Sequence, residues 1–233
     1  MSYPEVWLKD RSLGEKIACE VRLQIIKGDI ETGTVLSENQ LASLFAASRS
    51  PVREALRVLA NEGLIRLERM GAVVLGLKEK DIEELYDVRM LIESFVIKRI
   101  KKDDQEKLIA QLKMVMDKMS MAMNHKDAVE FSYQDLYFHE LIVKKANHGR
   151  MLKLWNDIKP IILTALFVAT TKRFEQHFDE VERLIGRHQL IIKAIQSNDE
   201  AVIEGIIAEH FDDTRNTVFA SLGRKTISNK AER

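Results

Sequence analysis

The chain has 233 residues with 36 basic and 36 acidic side chains, so its formal charge is zero. A polycation that coats nucleic acid by bulk charge and an acidic solvating tail are both excluded. Hydrophobic residues make up 45% and charged residues 31%, a globular composition for one large domain or two small ones.

Ten glycines and three prolines are too few for a loop-rich β-sandwich and leave room for long helices. The single cysteine, Cys19, has no internal partner, which points to a reducing compartment. The charged leader lacks the apolar core of a signal peptide, and the longest apolar run, 161–169, is far short of the ~20 residues of a membrane span. The expectation is a cytoplasmic protein with no membrane partner.

In chain order, residues 1–10 read as a loose leader anchored by Tyr3 and Trp7. Periodicity then predicts a helix over 13–27, with Ile17, Val21, Leu23 and Ile25 or Ile26 on one face, stopped by Gly28. Ser37-Glu38-Asn39-Gln40 reads as a capping box opening a short helix from 38 to about 45. After a tight connection, Ser50 is expected to cap a second helix that has Pro51 at its first position and ends at Gly63. Two β-rich runs, 64–67 and 72–75, flank Arg69-Met70-Gly71 as a hairpin turn.

From Lys78 the texture is helical, with six helices expected at about 79–101, 104–124, 127–147, 149–173, 177–196 and 199–221. The fold class is mainly α: a winged helix-turn-helix with a small β-hairpin wing over 1–76, a linker at 77–80, an all-α six-helix domain over 81–222 and a flexible tail at 223–233. The methionines 114, 116, 119, 121 and 123 read as core and interface packing on one amphipathic helix.

Helix, helix, turn, helix, hairpin is the order that lays one helix in the major groove of DNA with a wing beside it. Residues 1–76 carry ten basic and ten acidic side chains, so geometry has to support the reading. Between Arg49 and Arg69, five arginines face three glutamates, and Arg53 and Arg57 lie four apart on one helix face. Arg49 or Arg53 can fork onto guanine, Ser48 and Ser50 can reach phosphate oxygens, and Gly71 lets the wing tip come close to a groove. Arg57 has the plainer option of pairing with Glu54 or Glu62.

In the helical part, Asp135 and His139 share a helix face, while His188 and His210 each sit mid-helix among apolar residues. Three histidines and a carboxylate suit a divalent first-row metal such as zinc, nickel or manganese, with open positions for a ligand's carboxylate or hydroxyl. The plainer reading makes each histidine a satisfied core residue. His125, His148 and His177 lie at helix breaks or in polar surroundings and stay outside the set.

The runs Leu-Ser-Glu-Asn-Gln-Leu-Ala (36–42), Ser-Arg-Ser-Pro-Val-Arg-Glu-Ala-Leu-Arg-Val-Leu (48–59) and Glu-Gly-Leu-Ile (62–65) resemble the DNA-binding domain of GntR-type transcriptional regulators. That resemblance implies that Arg49 and Arg53 read bases, that Ser48 and Ser50 hold phosphates and that Gly71 enters the minor groove. Asn39 stands where many members have arginine, so it is the position at which base or phosphate contact departs from the pattern.

The helical part resembles the FCD effector domain of the FadR branch, in its smaller VanR-like form. Asp135, His139, His188 and His210 match the four metal positions of that pattern. Arg89 matches a pocket-facing position, where it would hold an effector carboxylate or, alternatively, pair with Glu93. Within the family, Ile-Arg-Leu-Glu-Arg-Met-Gly-Ala-Val-Val (65–74) and Trp-Asn-x-x-Lys-Pro (155–160) point to regulators of sugar-acid use.

The implied protein is a homodimeric repressor that binds double-stranded operator DNA and is released by a small sugar acid such as gluconate. A different small carboxylate as effector is the alternative, and a metal-dependent hydrolase a remote one.

Overall fold

In a computed structural model that describes residues 1–69 and 71–221, the chain divides into two compact units between Lys78 and Glu79. Met70 in the wing turn and the expected tail from 223 onward lie outside the described residues.

The first unit begins with a leader that is better anchored than expected. Tyr3 is buried, its N–H donates to Glu20, and its ring meets Trp7 edge-on beside a short 3-10 turn at Glu5–Leu8. Helix α1 (Leu13–Lys27) starts on a reciprocal cap: Ser12 Oγ accepts from Glu15 N while the Glu15 carboxylate accepts from Ser12 N. It ends at Gly28, which takes the left-handed conformation (φ +89°).

Strand β1 (Val35–Leu36) is too short to leave a period in the sequence. Helix α2 (Glu38–Leu44) is capped as expected, with Ser37 Oγ accepting from Gln40 N at 3.1 Å.

Helix α3 (Arg49–Asn61) corrects the expected start. Ser48, not Ser50, is the N-cap, and Pro51 falls at the third helical position. Every N–H in a first helical turn lacks an intrahelical acceptor, so proline is tolerated at the third position as well as the first. Strands β2 (Ile65–Glu68) and β3 (Gly71–Val74) form the hairpin, with Ile65 opposite Val74 and Glu68 opposite Gly71; β1 pairs antiparallel on the other side of β3.

The core collects Ile17, Val21, Leu23, Val52, Leu56, Leu59, Leu64 and Val74. Across it, Arg22 on α1 makes a two-pronged ion pair with Glu62, just past α3, at 2.7 and 2.5 Å.

The second unit is α4 (Glu79–Ile97), α5 (Lys102–Asn124), α6 (Ala128–Lys145), α7 (Gly149–Gln176), α8 (Asp179–Ser197) and α9 (Glu200–Ser221). Helix α4 ends at Ile97 instead of 101, because the chain tightens into turns in which Arg99 and Ile100 bond back to the carbonyls of Val96 and Ile97. Left-handed residues make three joints: Lys126, Asn147 and Asn198.

Of the methionines on α5, only Met119 reaches the core, in line with Leu108, Leu112 and Val115, whereas Met114 and Met121 are exposed. Helix α6 packs on α4, α5 and α7, while α9 packs on α4, α7 and α8. These contacts enclose an interior rich in buried polar groups: Arg89, Glu93, Asp135, His139, His188 and His210. Among the described residues, no helix is long and apolar enough to cross a membrane.

Candidate functional site

In the first unit a groove of about 570 Å³ runs between α2, α3 and the wing, lined by Asn39, Arg49, Arg53, Arg57, Arg69 and Gly71 among others. Four of the six expected DNA-binding residues therefore share one groove. Ser48, the N-cap of α3, and Ser50, in its first turn, are exposed but do not line it. That turn holds no acidic residue and Ser48 makes no side-chain cap, so the positive helix end keeps its N–H groups open toward an anion.

Arg53 Nε donates to both carboxylate oxygens of Glu38 at 2.8–2.9 Å, which fixes the direction of the guanidinium. As an exposed pair it adds at most about 1 kcal/mol to stability. Arg57 pairs with neither glutamate expected for it: Glu54 Oε1 accepts from Ser12 Oγ, and Glu62 holds Arg22. Gly71 has a structural reason to be glycine. Its φ is +145°, and a Cβ there would lie 2.7 Å from the Leu36 carbonyl oxygen on β1.

In the second unit, α6, α8 and α9 bring the three expected histidines together. Ring centroids are 5.3 Å apart for His139–His188, 5.0 Å for His139–His210 and 5.1 Å for His188–His210. One nitrogen from each lies within 4.8 Å of the others. Asp135 stands beside two of the three, with Oδ1 3.3 Å from His188 Nε2 and 3.8 Å from His139 Nε2, while the three histidines alone form the mutually close group.

The other side of two rings is tied down. His188 Nδ1 donates to the Leu184 carbonyl at 2.8 Å, and His139 Nδ1 meets Glu93 Oε2 at 2.5 Å. The carbonyl puts the His188 proton on Nδ1, and Glu93 does the same for His139 when it is ionised; each Nε2 is then a lone pair facing inward. His139 Nε2, His188 Nε2 and His210 Nδ1 are buried and have no hydrogen-bond partner among the described residues. An orphaned buried polar atom costs about 1–3 kcal/mol. Three of them converging beside a carboxylate fit a divalent metal, in which neutral imidazoles and a carboxylate are the expected donors.

The electrostatics agree with that donor set. Burial, then the nearby Arg89 and His188 charges, hold the His139 imidazole well below its ordinary value; burial and the other two histidines do the same to His210, so both stay neutral. Burial works to raise Asp135, but His188, His139 and Arg89 outweigh it and keep the group ionised.

Arg89 stands beside this centre, wholly buried, and makes the pair with Glu93 expected as its alternative role. Its Nε donates to Glu93 Oε1 at 3.0 Å, while Nη1 and Nη2 have no partner among the described residues. Its guanidinium carbon lies 4.7 Å from the centroid of Phe211, 5.7 Å from Trp155 and 5.8 Å from Tyr86. The Tyr86 hydroxyl and Trp155 Nε1 are also buried, with no hydrogen-bond partner among the described residues. The interior thus gathers a fixed cation and several donors beside the histidines.

Glu93 is the residue that sequence reasoning undervalued. It entered only as a partner for Arg89, yet it also holds a histidine of the set. Burial raises its carboxyl to about 7 against the opposing pull of Arg89.

Residues 84–213 match the FCD domain, and residues 13–75 match the family described as bacterial regulatory proteins, gntR family. The chain is 45% identical to a gluconate operon transcriptional repressor of Bacillus licheniformis over 216 residues, covering 93% of this chain and 89% of the relative. The gluconate operon transcriptional repressor of Bacillus subtilis (strain 168) is 43% identical with the same coverage. Among solved structures, McbR/YncC of E. coli is similar at a TM-score of 0.65 and 18% identity, covering 90% of this chain and 98% of that one. A GntR regulator from Rhodococcus sp. RHA1 gives a TM-score of 0.63 and 20% identity, covering 89% and 97%. At those identities the two structures speak to fold alone.

Proposed function

The chain belongs to the GntR family of bacterial regulatory proteins and carries an FCD domain, so it is a DNA-binding transcriptional regulator and not an enzyme; from that premise we propose that it represses a sugar-acid utilisation operon and leaves its operator when gluconate binds in the helical chamber.

Residues 1–76 act as the operator-binding domain, 77–80 as the linker and 81–222 as the effector and dimerisation domain. Asn39, Arg49, Arg53 and Gly71 face the DNA from the groove, and Ser48 and Ser50 meet phosphates from the N-terminal end of α3. A single recognition helix reads too few base pairs for useful specificity, so a two-fold dimer presents two of them to a palindrome.

Asp135, His139, His188 and His210 hold a divalent ion: zinc, nickel or manganese. When bound, the ion offers open positions to carboxylate or hydroxyl oxygens of the effector. Arg89 supplies the counter-charge through Nη1 and Nη2, in the paired geometry that suits a carboxylate. The observation that supports this reading is the burial, close together, of three imidazole nitrogens and the two ends of Arg89 that have no hydrogen-bond partner among the described residues. Effector binding weakens operator binding through a coupling free energy, and by reciprocity the operator weakens effector binding by the same factor.

The test is operator binding by the metal-loaded protein, followed by anisotropy of a labelled DNA fragment, with and without millimolar gluconate. Gluconate should lower the affinity, and both chelator and Arg89→Ala should remove that response while leaving operator binding intact. No response of the wild type to gluconate overturns the assignment, and a response to another small carboxylate replaces it.

A further inference from the structure

A cleft of about 380 Å³ lies where the last turns of α7 and α9 meet the first half of α8. The functional reading above makes no use of it. Four cations line it (Lys172, Arg173, Arg183 and Arg187) against the acids Glu180 and Asp213. Arg173 pairs with Glu180 at 3.4 Å, and Arg187 with Asp213 at 3.1 Å. Those pairs tie the three helices together, and among the described residues they leave Lys172 and Arg183 as surplus positive charge on the lining. Lys172 Nζ donates to the Ser221 carbonyl, a contact that neutralises nothing.

The cleft abuts the histidine centre on two helices. Leu184 lines the cleft, and its carbonyl accepts from His188 Nδ1. Arg187 directly precedes His188, and Asp213 lies one turn beyond His210 on α9. Arg173 is nine-tenths buried and near enough to Asp135 to feel its charge. The cleft and the histidine centre thus lie within about one helical turn of each other along α8 and α9. Two surplus cations match a dianion, and the arginine fork with a lysine point charge is the usual recognition set for phosphate oxygens.

Resting on the effector reading above, we propose that this cleft is a subsite for a phosphate group carried on the far end of the sugar acid, so that the preferred effector class is a phosphorylated aldonate.

The experiment is calorimetry of the full-length, metal-loaded protein with gluconate, with 6-phosphogluconate, and with gluconate plus inorganic phosphate. The phosphorylated acid should bind at least about tenfold tighter than gluconate, as expected for one added charge-assisted contact. Lys172→Ala and Arg183→Gln should each erase most of that gain and leave gluconate affinity unchanged; their melting temperatures check that the fold is kept. Gluconate binding with no gain from the phosphate overturns the subsite alone, as does a gain that both variants retain. A gain reproduced in full by gluconate with inorganic phosphate overturns the tethered ligand in favour of free phosphate. Binding of neither acid overturns the subsite together with the sugar-acid reading on which it rests.

Discussion

Glu93 Oε2 lies 2.5 Å from His139 Nδ1, while the other oxygen of the same carboxylate accepts from Arg89 Nε at 3.0 Å. One buried side chain on α4 therefore orients both a metal-site histidine on α6 and the cation proposed to receive the effector. Through it, a shift of the guanidinium toward a bound carboxylate is felt by the imidazole.

Replacing Glu93 by glutamine tests that link. An amide can turn its NH2 toward Nδ1, which draws the proton to Nε2 and spoils the lone pair that faces inward. Glu93→Gln should lower affinity for zinc or manganese by about 10–100-fold. Metal titration of the purified variant measures this, and an unchanged affinity would show that His139 needs no such orientation.

The pH dependence of stability follows from the same groups. His139 and His210 sit well below the 6.5 of a free imidazole, chiefly through burial, so the unfolded chain takes up protons that the folded chain refuses once the pH falls below 6.5. Glu93 works in the opposite sense: raised from 4.5 to about 7, it binds a proton in the fold between those values that the unfolded chain has released. Two histidines outweigh one glutamate. Metal-free protein should therefore lose stability on acidification from pH 6.5 to 4.5, approaching about 1.4 kcal/mol per pH unit for a net surplus of one proton. Denaturant midpoints across that range check the sign, and a profile that is flat or rises toward acid would mean that the fold protonates its histidines.

The elements of the helical unit were legible because an amphipathic period over twenty residues leaves a strong trace, and the histidines stood out because His188 and His210 sit mid-helix among apolar residues and all three match the pattern of the resembling family. Glu93 was not legible as a histidine partner. Its contact spans 46 positions from α4 to α6, and nothing local distinguishes it from a simple partner of Arg89. The same limit hid β1, whose two residues exist as a strand only through pairing with β3. The start of α3 was misplaced because Ser48 and Ser50 are both good cap residues and Pro51 tolerates either register. The plainer option for Arg57 falls away because both candidate partners are claimed from elsewhere in the fold: Glu62 by α1 and Glu54 by Ser12.

The groove of the first unit separates its arginines by role. Arg49→Ala and Arg53→Ala should each cost about 1–3 kcal/mol at the operator and relax base preference at one position. Arg57→Ala should weaken binding evenly across sequences and reduce the salt slope by about one. Anisotropy titrations at several salt concentrations, on operator and scrambled DNA, distinguish the two outcomes. Equal losses on both DNAs for Arg49→Ala would make that residue a phosphate contact.

The ion pair between Arg22 and Glu62 should govern the stability of the first unit. Both side chains are nearly sealed from solvent, and two hydrogen bonds at 2.7 and 2.5 Å join them across the α1–α3 core. Removing one partner strands the other charge, so Glu62→Ala should destabilise the unit by about 3–5 kcal/mol. A double replacement by leucine and methionine removes both charges together and should recover most of the loss, since the desolvation cost disappears with them. Urea unfolding of the single and double variants measures both numbers. If the single variant loses less than about 1 kcal/mol, the value of an exposed pair, then water reaches the pair and Arg22 does not depend on Glu62 to be buried.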